Sequence, residues 1–206
     1  MLLFDIGSNI GSWALKNYTN ETKIICVEAS PSTFQQLTKN TAGRNIIPLN
    51  FAVTSSTSNS VEFFESSANT ISTLNKNWLT DPSSRFYNQY HYKKINVNTI
   101  TLDKLISMYG IPDLLKIDVE GAEDIVIKSL SQPVKTLCFE WACEMQDVIF
   151  NSIEHLHSLG YTKFHIQNQD SFEYKPSGYE LTKDQLVSII KTKIPKVDWG
   201  MIWTTI

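Results

Sequence analysis

The chain has 206 residues, of which 42% are hydrophobic and 19% are charged, and its formal net charge is −3. This composition suits a single globular domain with a buried core. It excludes a basic stripe for nucleic acid, and no apolar run reaches the roughly 20 residues of a membrane span. The apolar start "MLLF" meets Asp5 at once and has no basic lead, so no secretory signal is predicted. We expect a cytoplasmic protein that has no nucleic-acid or membrane partner.

Strand-like and helix-like stretches alternate along the chain. The predicted strands, in chain order, are "LLFDIG", "KIICVEAS", "NIIPLNFAV", "DLLKIDVEG", "VKTLCFEWA", "YTKFHIQN" and "WGMIWTTI". The predicted helices are "SWALKNYTN", "PSTFQQLTKNTAG", "TLDKLISMYG", "AEDIVIKSL", "DVIFNSIEHLHSLG" and "TKDQLVSIIKTK". The predicted N-caps are Ser30 for the second helix and Thr101 or a neighbour for the third, and "SVEFFES" is an extra strand or hairpin arm. The alternation predicts a doubly wound α/β fold with a mostly parallel sheet.

Residues 1–206 read as one domain, without a repeat or a low-complexity linker. The first strand starts without the leading helix that often covers such a sheet. We therefore expect a domain that is excised from, or fused within, a longer protein, together with other biosynthetic domains.

The segment 69–94 is long, polar and rich in aromatic residues, and it has weak periodicity. Loops of this length inside a compact domain are usually functional or disordered. We expect it to form a lid over the acceptor, with Trp78, Tyr87, Tyr90 and Tyr92 against the substrate. The alternative is a surface loop whose aromatic side chains dock on the core.

The turn after the first strand contains Gly7 and Gly11, with Asn9 between them. A dinucleotide loop would carry a third glycine near Asn9, so that the backbone could approach a pyrophosphate. Its absence favours a cofactor without a pyrophosphate, held in part by polar side chains such as Asp5 at the strand end. The alternative is a plain tight turn in which Gly11 packs against the strand.

Glu28 ends the second predicted strand, about 20 residues after Asp5. An acid at this place can accept hydrogen bonds from both ribose hydroxyls of a nucleoside. Together, the glycine turn, the spacing and the acid favour a nucleoside cofactor over a surface-exposed glutamate.

A second group of acids follows the central strands. Asp118 and Glu120 come after "LLKI", and Glu140 ends "LCFE" on the next strand. Acids at such strand ends are costly unless they are used or paired, and we expect Asp118 and Glu140 to face each other. Glu123 falls in the first turn of a helix and is interpreted as a helix-start charge.

These motifs together resemble the FkbM-type S-adenosylmethionine-dependent methyltransferases. The resemblance rests on "FDIGSNIGSWA", "VEASP", "NFAVTSS", "TITLDKLI", "LLKIDVEGAE" and "LCFEWA", in this order. It implies a Rossmann-like class I methyltransferase fold with seven strands in the order 3-2-1-4-5-7-6, of which strand 7 is antiparallel. It also implies methyl transfer to a hydroxyl of a sugar, glycan or natural-product scaffold.

The resemblance assigns cofactor-binding roles residue by residue. Asp5, Gly7, Ser8, Asn9 and Gly11 would line the methionine end and the ribose, Glu28 would hold the ribose hydroxyls, Ala29 and Ser30 would lie beside the adenine edge, Phe51 and Ala52 would flank the adenine, and Asp118 would lie near the cofactor's amino group and the substrate.

An alcohol is a weak nucleophile at neutral pH, so a general base is expected. Asp118 is the first candidate, with Glu120, Glu140 and His91 as rivals, and Trp141 would border the acceptor pocket. A divalent metal held by Asp118 and Glu140 is a less favoured alternative.

The expected acceptor is a sugar or glycan, with a deoxyhexose such as rhamnose as the first guess, or a small-molecule alcohol. Two other functions stay open at this point. One is an NAD-dependent oxidoreductase on a similar sheet, and the other is a non-catalytic binding module.

Overall fold

The computed structural model describes residues 1–206. Its strands are β1 (Leu2–Ile6), β2 (Lys23–Val27), β3 (Ile46–Leu49), β4 (Ala52–Val53), β5 (Ser60–Ser66), β6 (Tyr92–Ile100), β7 (Leu114–Ile117), β8 (Thr136–Ala142), β9 (Lys163–Asn168) and β10 (Trp199–Thr205). Its α-helices are α1 (Ser12–Asn17), α2 (Pro31–Thr41), α3 (Asn77–Thr80), α4 (Leu102–Tyr109), α5 (Glu123–Ile127), α6 (Gln146–Ser158) and α7 (Lys183–Lys191), and a 3-10 helix covers Asn69–Ile71. None of the helices combines the length and the apolar character that crossing a bilayer requires.

Seven strands form the main sheet in the order β3-β2-β1-β7-β8-β10-β9. All neighbours are parallel except β10, which runs antiparallel to both β8 and β9. Numbered within this sheet alone, the order is 3-2-1-4-5-7-6 with an antiparallel seventh strand. The predicted fold class and strand order are therefore confirmed.

Two predicted caps fix the starts of α2 and α4. The Ser30 hydroxyl accepts a hydrogen bond from the Thr33 N–H, and Pro31 occupies the first position of α2. The Thr101 hydroxyl accepts from the Lys104 N–H at the start of α4. Each bond satisfies one of the backbone donors that a helix start leaves unpaired.

A second, three-stranded sheet with the order β4-β6-β5 lies in the middle of the chain. Its strand β5 is the predicted hairpin arm. Its strand β6 begins at Tyr92, so the expected lid loop ends earlier than predicted. The polar, lysine- and asparagine-rich sequence of β6 hid this strand, because few of its side chains point into a core.

One face of the main sheet carries a polar row across its centre. Strand register places Cys26 beside Asp5, Asp5 beside Lys116, and Lys116 beside Cys138. The helices α1 and α2 cover one end of this face. Residues 169–181, which we call the strap, contribute Tyr174 and Tyr179 to its cover at the other end.

Candidate functional site

A cavity of about 320 Å³ lies at the carboxyl ends of β1, β2 and β7. This is the edge of a doubly wound sheet where ligands bind. Its wall includes residues 6–10, 27–29, 51–53, 116 and 118–120, with further side chains from the 3-10 helix and the strap. Most of the predicted cofactor-binding residues therefore share one cavity.

The two glycines of the first turn have different roles. Gly7 has a φ of +78°, and a Cβ atom there would lie 1.8 Å from the carbonyl oxygen of Asp118. Gly11 has a φ of +89°, and its Cβ would lie 2.8 Å from the Leu37 side chain of α2. Gly7 lines the cavity, whereas Gly11 does not. The expected cofactor contact of Gly11 is therefore replaced by close packing against α2.

Glu28 organises the turn as well as facing the cavity. Its Oε2 accepts from the Asn9 N–H at 2.9 Å, and its Oε1 accepts from the Ser30 N–H at 2.8 Å. Burial raises the pKa of Glu28 to about 7, against the opposing effect of these two N–H groups. Each carboxylate oxygen has a second lone pair, so the side chain can still accept from a ligand's hydroxyls.

Of the two residues that follow Glu28, one lines the cavity and the other lies in the core. Ala29 lines the cavity, but Ser30 is fully buried outside it. The Ser30 hydroxyl donates to Oε1 of Glu65 at 2.5 Å, and this oxygen also accepts from the Ser32 hydroxyl at 2.8 Å. The predicted place of Ser30 at the adenine edge is therefore corrected, since its hydroxyl is occupied in joining α2 to β5.

The predicted apolar end of the cavity is present. Phe51 and Ala52 line it, as do Phe63 of β5 and Leu74 from the segment after the 3-10 helix. Sequence reasoning missed Phe63 and Leu74, because nothing local links the middle of the chain to the cavity.

Asp5 lies beneath the cavity rather than in its wall. It is fully buried, and neither carboxylate oxygen has a hydrogen-bond partner. The closest opposite charge is the Lys116 ammonium, 3.8 Å from Oδ1. Burial raises the pKa of Asp5 to about 6.

Lys116 is the charged site residue that sequence reasoning missed. It lines the cavity, and its Nζ lies 2.9 Å from Oδ2 of Asp118. Burial opposes the charged form, but the carboxylates of Asp118 and Asp5 raise the pKa of Lys116, so it stays an ammonium. The sequence feature that could have indicated its role is that Lys116 is the single charged residue in the otherwise apolar strand "LLKI".

Three carboxylates gather beside the cavity, as predicted for two of them. Oxygen atoms of Asp118, Glu120 and Glu140 all lie within 4.8 Å of one another. Burial and the charge of Asp118 raise the pKa of both Glu120 and Glu140 well above the usual range. Asp118 and Glu120 line the cavity, and Glu140 does not.

Glu123 is in the first turn of α5, as predicted. It is also buried, and its Oε1 accepts from the N–H groups of Val119 at 3.0 Å and Gly121 at 3.3 Å. Burial raises its pKa to about 7. The side chain therefore also shapes the loop that carries Asp118 and Glu120, which the sequence did not indicate.

The two tryptophans expected at the acceptor are in the core. Trp78 is 2% exposed, and its indole N–H donates to Oε2 of Glu120 at 2.9 Å. Trp141 is 1% exposed, and its indole N–H donates to the carbonyl of Gln167. Neither side chain lines the cavity, because each packs inward. Their predicted substrate contacts are corrected accordingly, and Trp78 holds Glu120 instead.

The remaining predicted substrate residues lie elsewhere. Tyr90, His91 and Tyr92 line a separate hollow, and Tyr87 is an exposed neighbour of this group. None of these four side chains lines the main cavity, so His91 is not brought to the carboxylates. The part of the expected lid that does reach the cavity is the 3-10 helix, together with Ser72 and Leu74 after it. In this helix, the Asn69 amide donates to Oδ1 of Asn9 at 2.8 Å.

The strap closes the opposite rim of the cavity, which the sequence did not reveal. Phe172 lines the cavity, and its carbonyl accepts from the Asn17 side chain at 2.9 Å. A salt bridge of 3.4 Å joins Lys16 to Glu173. The strap is thus attached to α1 through contacts at the surface.

The sequence of residues 5–170 matches the family model of the methyltransferase FkbM domain. The chain belongs to the FkbM methyltransferase family. This confirms the family to which the motifs pointed, and membership sets aside the oxidoreductase alternative.

Two known proteins are similar to this chain, one in sequence and one in fold. The hexuronic acid methyltransferase AglP of Haloferax volcanii is 30% identical over 146 residues, which are 67% of this chain and 53% of the relative. The chain therefore spans about half the length of that relative. Precorrin 8w decarboxylase of Methanobacterium thermoautotrophicum has a TM-score of 0.50 at 10% identity, covering 100% of this chain and 81% of that one. This second likeness shows a shared fold alone.

Proposed function

We propose that this chain is an S-adenosylmethionine-dependent O-methyltransferase that acts on a hydroxyl of a sugar or another small alcohol. One observation carries the proposal. A single cavity at the switch point of the sheet has Glu28 at one wall and the Asp118 carboxylate at another.

Several features of the cavity fit this cofactor. Gly7 presents its backbone in the cavity wall. Glu28 keeps free lone pairs for ribose hydroxyls, and Phe51 and Phe63 offer apolar surface for a purine. Below them lies the buried carboxylate of Asp5, whose oxygens have no hydrogen-bond partner and which suits a nearby positive charge.

When bound, the cofactor supplies a methyl group that is already activated by its sulfonium. The protein's task is to align the acceptor and to take its proton. We assign the proton to Asp118. Glu120 and Glu140 are less well placed, because the indole N–H of Trp78 binds Glu120 and because Glu140 does not line the cavity.

A route assisted by a divalent metal is less favoured. Three clustered carboxylates offer the oxygen ligands that hard cations prefer. However, Oδ2 of Asp118 already contacts the Lys116 ammonium, which would repel a cation placed there. Turnover that persists in EDTA supports the metal-free route, and turnover that EDTA abolishes and Mg²⁺ restores contradicts it.

The choice of a sugar acceptor rests on the relative's name and on the polar acidic wall. The test is an assay of methyl transfer from labelled S-adenosylmethionine to a panel of neutral hexosides, deoxyhexosides, hexuronates and simple alcohols. A base-stable methyl ether on a sugar supports the proposal. A base-labile ester formed only with hexuronates means that a carboxylate is the acceptor and overturns the hydroxyl assignment.

Cofactor binding is tested separately by thermal denaturation. A ligand that binds only the folded state raises its melting temperature. We expect S-adenosylhomocysteine to raise the melting temperature and NAD to leave it unchanged. No shift with either ligand favours a non-catalytic module.

A further inference from the structure

Lys116 occupies an unusual place for a lysine. Its side chain is 4% exposed, in the interior of the central strand β7 and between Asp5 and Cys138 of the neighbouring strands. A buried ammonium loses its hydration, and this cost is offset only by well-placed negative partners.

One ammonium serves two carboxylates from different strands. Its Nζ is within hydrogen-bond distance of Asp118 at 2.9 Å, but 3.8 Å from Asp5. The bond to Asp118 is therefore the directional one. Asp5 contributes charge that keeps the ammonium in place.

The Asp118 carboxylate would be free to rotate without this bond. Asp118 lies directly after the end of β7, and its side chain is 24% exposed at the cavity wall. No other side chain hydrogen-bonds its carboxylate, whereas Glu120 is held by Trp78 and Glu123 by two backbone N–H groups.

We infer that Lys116 is a positioning residue, whose ammonium holds the Asp118 carboxylate in the orientation that receives the proton of the acceptor hydroxyl. The inference rests on the proposed function, because it acts through Asp118. A position in the core of the sheet does not by itself require a lysine, and the inference gives a reason for the charged side chain at this position.

The test is a double-mutant cycle of Lys116→Met and Asp118→Asn, measured with the acceptor found in the panel. We expect Lys116→Met to lower kcat about 100-fold, as misplacement of a reacting group does, with the acceptor KM within threefold. In the Asp118→Asn background the same change should lower kcat less than threefold, because its target is gone.

The matched control is Lys128→Met. Lys128 also contacts an aspartate at 2.9 Å, but its side chain is 45% exposed and does not line the cavity. Its kcat should stay within twofold of wild type.

Two results overturn the inference. One is an equal loss of kcat from Lys116→Met in both backgrounds, which would mean that the lysine acts independently of Asp118. The other is a loss of S-adenosylhomocysteine affinity in calorimetry that exceeds the loss of kcat, which would make Lys116 a cofactor-binding residue. If Lys116→Met does not fold, the cycle is repeated in the Asp5→Asn background, which carries one buried charge fewer.

A readout without turnover separates this inference from the proposed function. Lys116→Met leaves two carboxylates without their cation, so adding Asp118→Asn should raise the melting temperature of that variant. A further decrease would contradict the Lys116–Asp118 link. A wild type that transfers no methyl group but shows this recovery would refute the proposed function and, with it, the catalytic role of Lys116, and it would leave only the structural Lys116–Asp118 contact.

Discussion

The two ends of the cavity are built in different ways. At the turn after β1, the backbone makes the site: Gly7 leaves room, and the N–H groups of Asn9 and Ser30 hold Glu28. At the acidic end, side chains hold one another, as Lys116 holds Asp118. The first end should be sensitive to added volume, and the second to the loss of single polar atoms.

The largest effect is expected at Gly7. In Gly7→Ala, the added Cβ would lie 1.8 Å from the Asp118 carbonyl oxygen, so the strand ends must separate. We expect a loss of about 4 kcal/mol or more in the free energy of unfolding, measured in urea. Gly43→Ala is the control, because Gly43 has a similar φ of +76° but nothing within 4 Å. Equal losses in both variants would contradict the clash.

Asp118→Asn breaks the acidic end. Removal of a general base lowers kcat by about 10²- to 10⁴-fold, with folding retained, and single-turnover kinetics measures this. Glu140→Gln should have a smaller effect, and His91→Gln should match wild type, because His91 lies outside the cavity. A loss in Glu140→Gln as large as that in Asp118→Asn would transfer the role to Glu140.

Buried carboxyl groups make stability depend on pH. The pKa values of Glu28 and Glu123 are about 7 when folded and near 4.3 when unfolded, so the folded state binds more protons between these values. Each of these two groups should therefore lower the free energy of unfolding by roughly 2 kcal/mol as pH rises from 5 to 7.5. Urea unfolding at several pH values measures the slope, which Glu28→Gln should reduce. An unchanged slope in that variant would contradict the assignment.

Glu28→Gln gives the smallest expected change and probes the turn end. The amide nitrogen must face either the Asn9 or the Ser30 N–H, so one backbone bond is lost. We expect about tenfold weaker binding of S-adenosylhomocysteine in calorimetry, which corresponds to about 1.4 kcal/mol. Glu62→Gln is the control, since Glu62 is half exposed on β5. Unchanged affinity in Glu28→Gln would remove Glu28 from the binding site.

The same difference explains what the sequence could predict. Strand order, the caps Ser30 and Thr101, and the place of Glu28 follow from local spacing and from the family motifs. The turn end is therefore readable, because its contacts join residues that lie close in sequence or at the ends of adjacent strands.

The acidic end is less readable because its contacts span the chain. Trp78 reaches Glu120 across 42 positions, and its aromatic character alone did not distinguish a buried hydrogen-bond donor from a substrate surface. Lys116 lies within a family motif in which only the acidic residues were predicted to be functional. The strand β6 escaped because lysine and asparagine dominate its sequence.

Glu65 has a consequence for how the protein unfolds. The small sheet contributes only a few buried apolar side chains of its own, such as Phe63 and Val97, and a sheet of that size is marginal alone. Glu65 joins this sheet to the start of α2 through hydrogen bonds from Ser30 and Ser32. Burial alone would raise the pKa of Glu65, but these bonds and the Lys93 ammonium lower it to about 2. Tryptophan fluorescence, to which the buried Trp78 of the segment 69–94 contributes, and circular dichroism of the whole chain should therefore report a single cooperative transition.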